Sequence, residues 1–74
     1  MFLVIQKGYY IFGQGSTPEQ AVKDMKQWID SDSPMQEWTV DDFPTSWYQA
    51  NDGDMVLIID HELAQELYQQ YRNY

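Results

Sequence analysis

Two hydrophobic periods share this chain. Phe2-Leu3-Val4-Ile5 is an unbroken apolar run, and Tyr9-Tyr10-Ile11-Phe12 is a second, aromatic and β-branched. Lys7-Gly8 between them supplies a tight turn, because glycine accepts positive φ. Residues 2–12 therefore predict a β-hairpin. Neither run alternates cleanly, so one of its strands is expected to be central and buried on both faces. Gly13 and Gly15 are expected to end the second strand.

The period then changes. Ala21, Val22, Met25, Trp28 and Ile29 fall at i, i+1, i+4, i+7 and i+8, one apolar face of a helix, with Lys23, Asp24, Lys26, Gln27 and Asp30 on the other. Thr17 is placed to cap that helix, Pro18 suits its first position, and Gln20 stands where a capping box closes. Glu19 complements the positive end of the dipole. Pro34 disfavours helix at Ser33 and ends the element. Met35 to Val40 are expected to form a short strand around Trp38 and Val40, followed by loop from Asp41 to Ser46. Trp47-Tyr48-Gln49 reads equally as strand or ordered coil. Asn51-Asp52-Gly53-Asp54 is a strong turn signal, read as a hairpin turn. Met55 to Ile59 are five apolar residues in succession, the pattern of a strand in the sheet interior. Asp60 is a good N-cap, Glu62 favours the same helix start, and Leu63, Ala64, Leu67, Tyr68 and Tyr71 form the apolar face of a closing helix. The order is β-β-α-(β)-β-α. We expect one α+β domain over residues 1–74: a small, mostly antiparallel sheet with two helices on one face.

A chain of 74 residues supports a modest core and a stability of roughly 3–5 kcal/mol. Three Trp, six Tyr and three Phe are a load that a disordered chain does not carry, so the chain is read as folded. Cysteine is absent, which removes disulfides and thiolate metal sites and fits a reducing compartment. The apolar opening MFLVIQ is too short for a secretory core or a membrane span, so a cytoplasmic protein without a membrane anchor is expected.

Charge sharpens the picture. The formal net charge is −8, and its placement is uneven. Residues 1–29 are nearly neutral. From Asp30 to Glu66 there are ten carboxylates and not one Lys or Arg. Such a field repels phosphate, which excludes direct binding to nucleic acid, and it attracts basic protein surfaces.

Catalytic chemistry finds little support. His61 is the lone histidine and sits at a predicted helix start, where no partnered base or nucleophile accompanies it. Ser16, Ser31, Ser33 and Ser46 stand beside turn and cap signals. Asp30-Ser31-Asp32 opens like a calcium loop and Asp41 falls at its twelfth position. The fifth position is Pro34, however, and the sixth, which needs glycine, is Met35. No enzyme activity, metal or cofactor is expected.

What remains is a surface. Trp38, Phe43, Trp47 and Tyr48 are interleaved with Glu37, Asp41 and Asp42. Exposed rings among carboxylates would suit docking to a basic partner, with Glu37, Asp41, Asp42, Asp52 and Asp54 supplying charge and Trp38 and Trp47 the anchors. The plainer alternative is that these rings plug the gap between sheet and helices while the acids keep the surface solvated.

Two resemblances bear on this. The run Gly15-Ser16-Thr17-Pro18-Glu19-Gln20-Ala21 after a Tyr-rich strand resembles the strand-to-helix junction of HicB-like antitoxins, over residues 9–29. No DNA-binding segment follows, so this resemblance implies a bare partner-binding half that neutralises a small basic toxin. At the level of class, the short, acidic, aromatic-rich, cysteine-free chain resembles phage-encoded anti-CRISPR proteins and DNA mimics. That resemblance implies a non-enzymatic inhibitor of a basic nucleic-acid-binding effector, acting in the cytoplasm of a host cell. A third reading is a structural domain that pairs with itself through a sheet edge, so monomer and homodimer both stay open.

Overall fold

The computed structural model describes residues 1–72. Strands β1 (Phe2–Gln6), β2 (Ile11–Gly15) and β3 (Met55–Ile58) form one antiparallel sheet in the order β2-β1-β3. Helix α1 (Pro18–Lys26) follows β2, and helix α2 (His61–Tyr71) follows β3. Two short 3-10 helices, Pro34–Glu37 and Val40–Asp42, stand where a strand was expected around Trp38. The α+β class and the order of the main elements agree with the sequence reading.

The hairpin turns through Gly8 at φ +86, a conformation that L side chains avoid. β1 is the central strand, buried on both faces as its unbroken apolar run implies. β3 has the same kind of run but lies at an edge, a correction to its expected place inside the sheet. Its two faces are covered all the same, and the fifth apolar residue, Ile59, falls beyond the strand and is exposed.

The helices do not share a face. Leu3 and Ile5 of β1, with Val56 and Ile58 of β3, pack against Ala64 and Leu67 of α2. Val4 and Leu57 point the other way, against Ala21, Val22 and Met25 of α1. Successive side chains of a strand alternate between faces, so two strands apolar at every position need cover on both sides. One helix on each side supplies it.

α1 lies very close to β2. A Cβ built on Gly13 would sit 2.3 Å from the Ala21 carbonyl oxygen and 2.6 Å from the Met25 nitrogen. Gly13 thus lies inside β2 and Gly15 is its last residue, and both let the helix backbone rest on the strand. Thr17 caps α1 as expected, its hydroxyl accepting from the Gln20 N–H at 3.1 Å. The Gln20 side chain does not close a capping box on Thr17. Its Oε1 accepts from the backbone N–H of Ser16 at 3.1 Å and from the Ser16 hydroxyl at 2.6 Å. α1 also stops early, with Gln27 as C-cap, so Trp28 leaves the apolar face and is 71% exposed. Asp60 caps α2, accepting from the N–H groups of Glu62 (2.9 Å) and Leu63 (3.2 Å).

Candidate protein-docking surface

The segment between α1 and β3 is a belt of main chain that passes from one face of the sheet to the other. On the α1 side it contributes Phe43 to the core, with Trp38 and Val40 packed against that cluster. Trp38 meets Phe43 edge-on, with ring centroids 4.9 Å apart. The chain then crosses the outer edge of β3, where the Pro44 carbonyl accepts from the Leu57 N–H at 2.9 Å. Beyond that crossing Trp47 enters the α2 side of the core and meets Tyr71 edge-on at 5.8 Å.

Lys7 pins the far end of the belt. Its Nζ donates to the carbonyls of Trp47 (2.7 Å) and Ala50 (2.9 Å) and stands 5.3 Å from the centroid of the Trp47 ring. An ammonium over an aromatic face is favourable, and hydrogen bonds from a charged donor are among the stronger ones. The turn at Asn51–Asp54 follows, with Gly53 at φ +93. It does not join two paired neighbours as a hairpin would. It leads into β3 and extends the β1–β3 ladder: the Gly53 N–H donates to the Lys7 carbonyl at 2.7 Å, and the Lys7 N–H to the Asp54 carbonyl at 2.8 Å.

This path fixes where the carboxylates stand. Glu37 ends the first 3-10 helix, Asp41 and Asp42 lie in the second, and Asp52 and Asp54 lie in the turn, all exposed. Two of them also hold the belt's shape. Asp42 accepts from the Thr39 N–H at 2.7 Å, and Asp54 from the Asn51 N–H at 2.9 Å. Lys7, whose backbone bonds to Gly53 and Asp54 of the turn, has its ammonium engaged with the carbonyls of Trp47 and Ala50. Among the described residues, no group of three His, Asp or Glu side chains is arranged to hold a metal ion. His61 lies exposed at the start of α2, its Nδ1 2.9 Å from the Met1 amino group and its Nε2 3.2 Å from the Gln65 amide.

The expected aromatic anchors do not both reach the surface. Trp47, 9% exposed, is a core plug, and Trp38 is half-buried against Phe43. The most exposed rings are Tyr48, at 80%, and Trp28, ahead of Tyr9 and Tyr10 of the hairpin. No local signal separates Trp47 from Tyr48, because adjacent rings on an irregular chain point apart and only the tertiary fold decides which goes inward. Trp28 had a signal: Lys23 and Lys26 are placed as cations at a helix C-terminus. It was outweighed by the apparent continuation of the apolar period.

A groove opens on the other side of the molecule, along β2. It encloses about 400 Å³ between Tyr10 and Phe12 of the hairpin, Asp24 and Trp28 at the end of α1, and Tyr68 and Arg72 at the end of α2. The outward N–H groups beside it are capped by α1 side chains: Gln14 donates to Asp24 Oδ2 at 3.0 Å, and Ser16 to Gln20 Oε1. No described helix is long and apolar enough to cross a membrane. No family model, no curated protein and no solved structure matches the chain.

Proposed function

We propose that this chain is a non-enzymatic acidic binding protein that docks on and inhibits a basic, nucleic-acid-handling protein, in the manner of an anti-CRISPR protein or DNA mimic. The observation that supports it is the belt. A segment with no Lys or Arg is held against the sheet, and its exposed carboxylates Glu37, Asp41, Asp42, Asp52 and Asp54 are carried on caps and turns rather than on loose chain. Fixed carboxylates lose less freedom on binding than mobile ones. Tyr48 is the exposed ring within this segment and takes the anchoring role first assigned to Trp47. Each exposed acid contributes only about 0.2–1 kcal/mol, so affinity requires several acting together.

Pairing of copies edge to edge is the weaker reading. The outward N–H groups of Gln14 and Ser16 on the β2 side and of Leu57 on β3 already have acceptors. The test is affinity capture from a bacterial lysate at about 0.05 M and about 0.5 M salt, which brackets strong and weak screening. It compares the native chain with the combined variant Glu37→Gln, Asp41→Asn, Asp52→Asn, which spares the Asp42 and Asp54 caps. Basic proteins held at low salt, released at high salt and missed by the variant are the expected result. Capture that ignores both salt and the three substitutions would sink the proposal.

A further inference from the structure

The turn that ends the belt holds the one Asp-Gly step in the sequence, Asp52-Gly53. Such a step carries a chemistry of its own. The backbone nitrogen of the second residue attacks the side-chain Cγ of the aspartic acid. A five-membered succinimide closes, and the N–H proton leaves with the carboxyl OH as water. Water then reopens the ring at either carbonyl. One opening restores aspartate; the other leaves isoaspartate, with the main chain routed through the side-chain methylene. Nothing is oxidised or reduced, and the water lost is regained. Glycine as the second residue favours closure, because no side chain shields its nitrogen and its backbone is the least restricted.

In the folded chain this step is accessible but tied down. The Asp52 side chain is exposed. The attacking nitrogen is not free: the Gly53 N–H donates to the Lys7 carbonyl at 2.7 Å, the short end of the range for such bonds. The Gly53 carbonyl accepts from Gln6 Nε2 at 3.2 Å. Asp54 closes the turn, its N–H donating to the Asn51 carbonyl at 3.0 Å and its Oδ2 accepting from the Asn51 N–H at 2.9 Å. The Asp52 carboxyl group lies beside Gly8, where an added Cβ would sit 3.5 Å from Cγ. Ring closure needs Cγ against the Gly53 nitrogen, the loss of that nitrogen's proton and a rotated backbone at the turn. These contacts oppose all three.

We propose that Asp52-Gly53 is a site of isoaspartate formation that the closed turn guards and that reacts when the turn opens. Isoaspartate keeps one carboxylate, so the net charge stays at −8. The lengthened main chain cannot hold both the Gly53 N–H on the Lys7 carbonyl and the Lys7 N–H on the Asp54 carbonyl. Lys7 also pins the belt at Trp47 and Ala50. One slow covalent event therefore unfastens the end of the belt without altering its charge. None of this depends on the proposed partner.

The test ages the full chain in warm, near-neutral buffer with and without guanidinium chloride. Isoaspartate is located by peptide mapping with electron-transfer fragmentation, since the mass does not change. The denatured chain should isomerise at Asp52 at least about tenfold faster than the native one, a factor that corresponds to about 1.4 kcal/mol of turn opening. The double variant Gln6→Ala, Asp54→Ala removes two of the turn's side-chain bonds and should raise the rate under native conditions by about two- to tenfold. A well-dispersed amide NMR spectrum would show that this variant is folded, and the native-against-denatured comparison stands without it. The isoaspartyl fraction, separated by chromatography, should exchange the Lys7 and Gly53 amide hydrogens faster than the parent chain. Equal rates in native and denatured chains, or no isoaspartate at Asp52 in the denatured chain, would overturn the guarded site. A folded double variant that ages at the native rate would also overturn it. An isoaspartyl chain with native exchange at Lys7 would overturn the unfastening of the belt.

Discussion

The two edges of the sheet are finished by different means. Along β3 the cover is main chain: the belt crosses at Pro44, gives its carbonyl to Leu57, and drops Phe43 into one face of the core and Trp47 into the other. Along β2 the cover is side chain: Asp24 and Gln20 reach from α1 to single N–H groups, and nothing roofs the rings beside them. The difference shows how this small fold makes two kinds of surface. A belt anchored on both faces must turn its polar residues outward in a fixed order, and here they are carboxylates. An edge capped by two side chains leaves a groove at its flank, and here it is aromatic.

The comparison is broken most severely at the belt's plug. Trp47→Ala removes a ring that packs on Tyr71 and accepts Lys7 above its face, and should cost about 3–5 kcal/mol. A domain of this size holds roughly that much in total, so urea denaturation followed by circular dichroism should find the variant largely unfolded at room temperature. Tyr48→Ala, one residue on, should stay within about 0.5 kcal/mol of the native chain. A Trp47→Ala variant as stable as native would mean that the belt is not held by its ring. On the β2 side the corresponding stress is Gly13→Ala. The added methyl meets the Ala21 carbonyl and the Met25 nitrogen, backbone atoms that cannot swing aside singly, so α1 must lift from the strand. We expect a loss of about 2–3 kcal/mol in the same measurement; an unchanged midpoint would show that the helix rides higher than described.

Much of the fold was legible in the residues. Continuous apolar runs named β1 and β3, and Thr17-Pro18 and Asp60 marked both helix starts within the sequence itself. The same runs also implied that both faces of the sheet need cover. Placing the two helices on one face missed this, because local periodicity assigns faces within an element and not between elements. The strand expected at Met35–Val40 failed for a related reason: Pro34 at a 3-10 start and the Thr39–Asp42 bond organise that stretch locally. The acidic segment was visible from composition, and its carboxylates stand on the surface as expected. The groove was not visible, because it joins the hairpin to the ends of two helices, at Lys26 and Tyr71, that lie far apart in the chain, and only packing brings those together.

The smallest expected effect separates the two kinds of edge most directly. Asp24→Ala removes the acceptor of the Gln14 N–H. Water can reach that amide, so the stability loss should be only about 0.5–1 kcal/mol. Amide hydrogen exchange is the sharper readout. Gln14 should lose protection in the variant, while Leu57, bonded to the Pro44 carbonyl, should stay protected until the belt opens. Asp24→Asn should retain most of the Gln14 protection, since an amide oxygen still accepts. With its edge N–H uncapped, the Asp24→Ala chain should also associate more at high concentration, measurable by sedimentation at two loadings. No single side-chain truncation at β3 can do the same, because the acceptor there is a backbone carbonyl. Equal exchange at Gln14 in the native and Asp24→Ala chains would mean that the β2 edge is protected by α1 packing alone, and that the two edges differ less than their hydrogen bonds indicate.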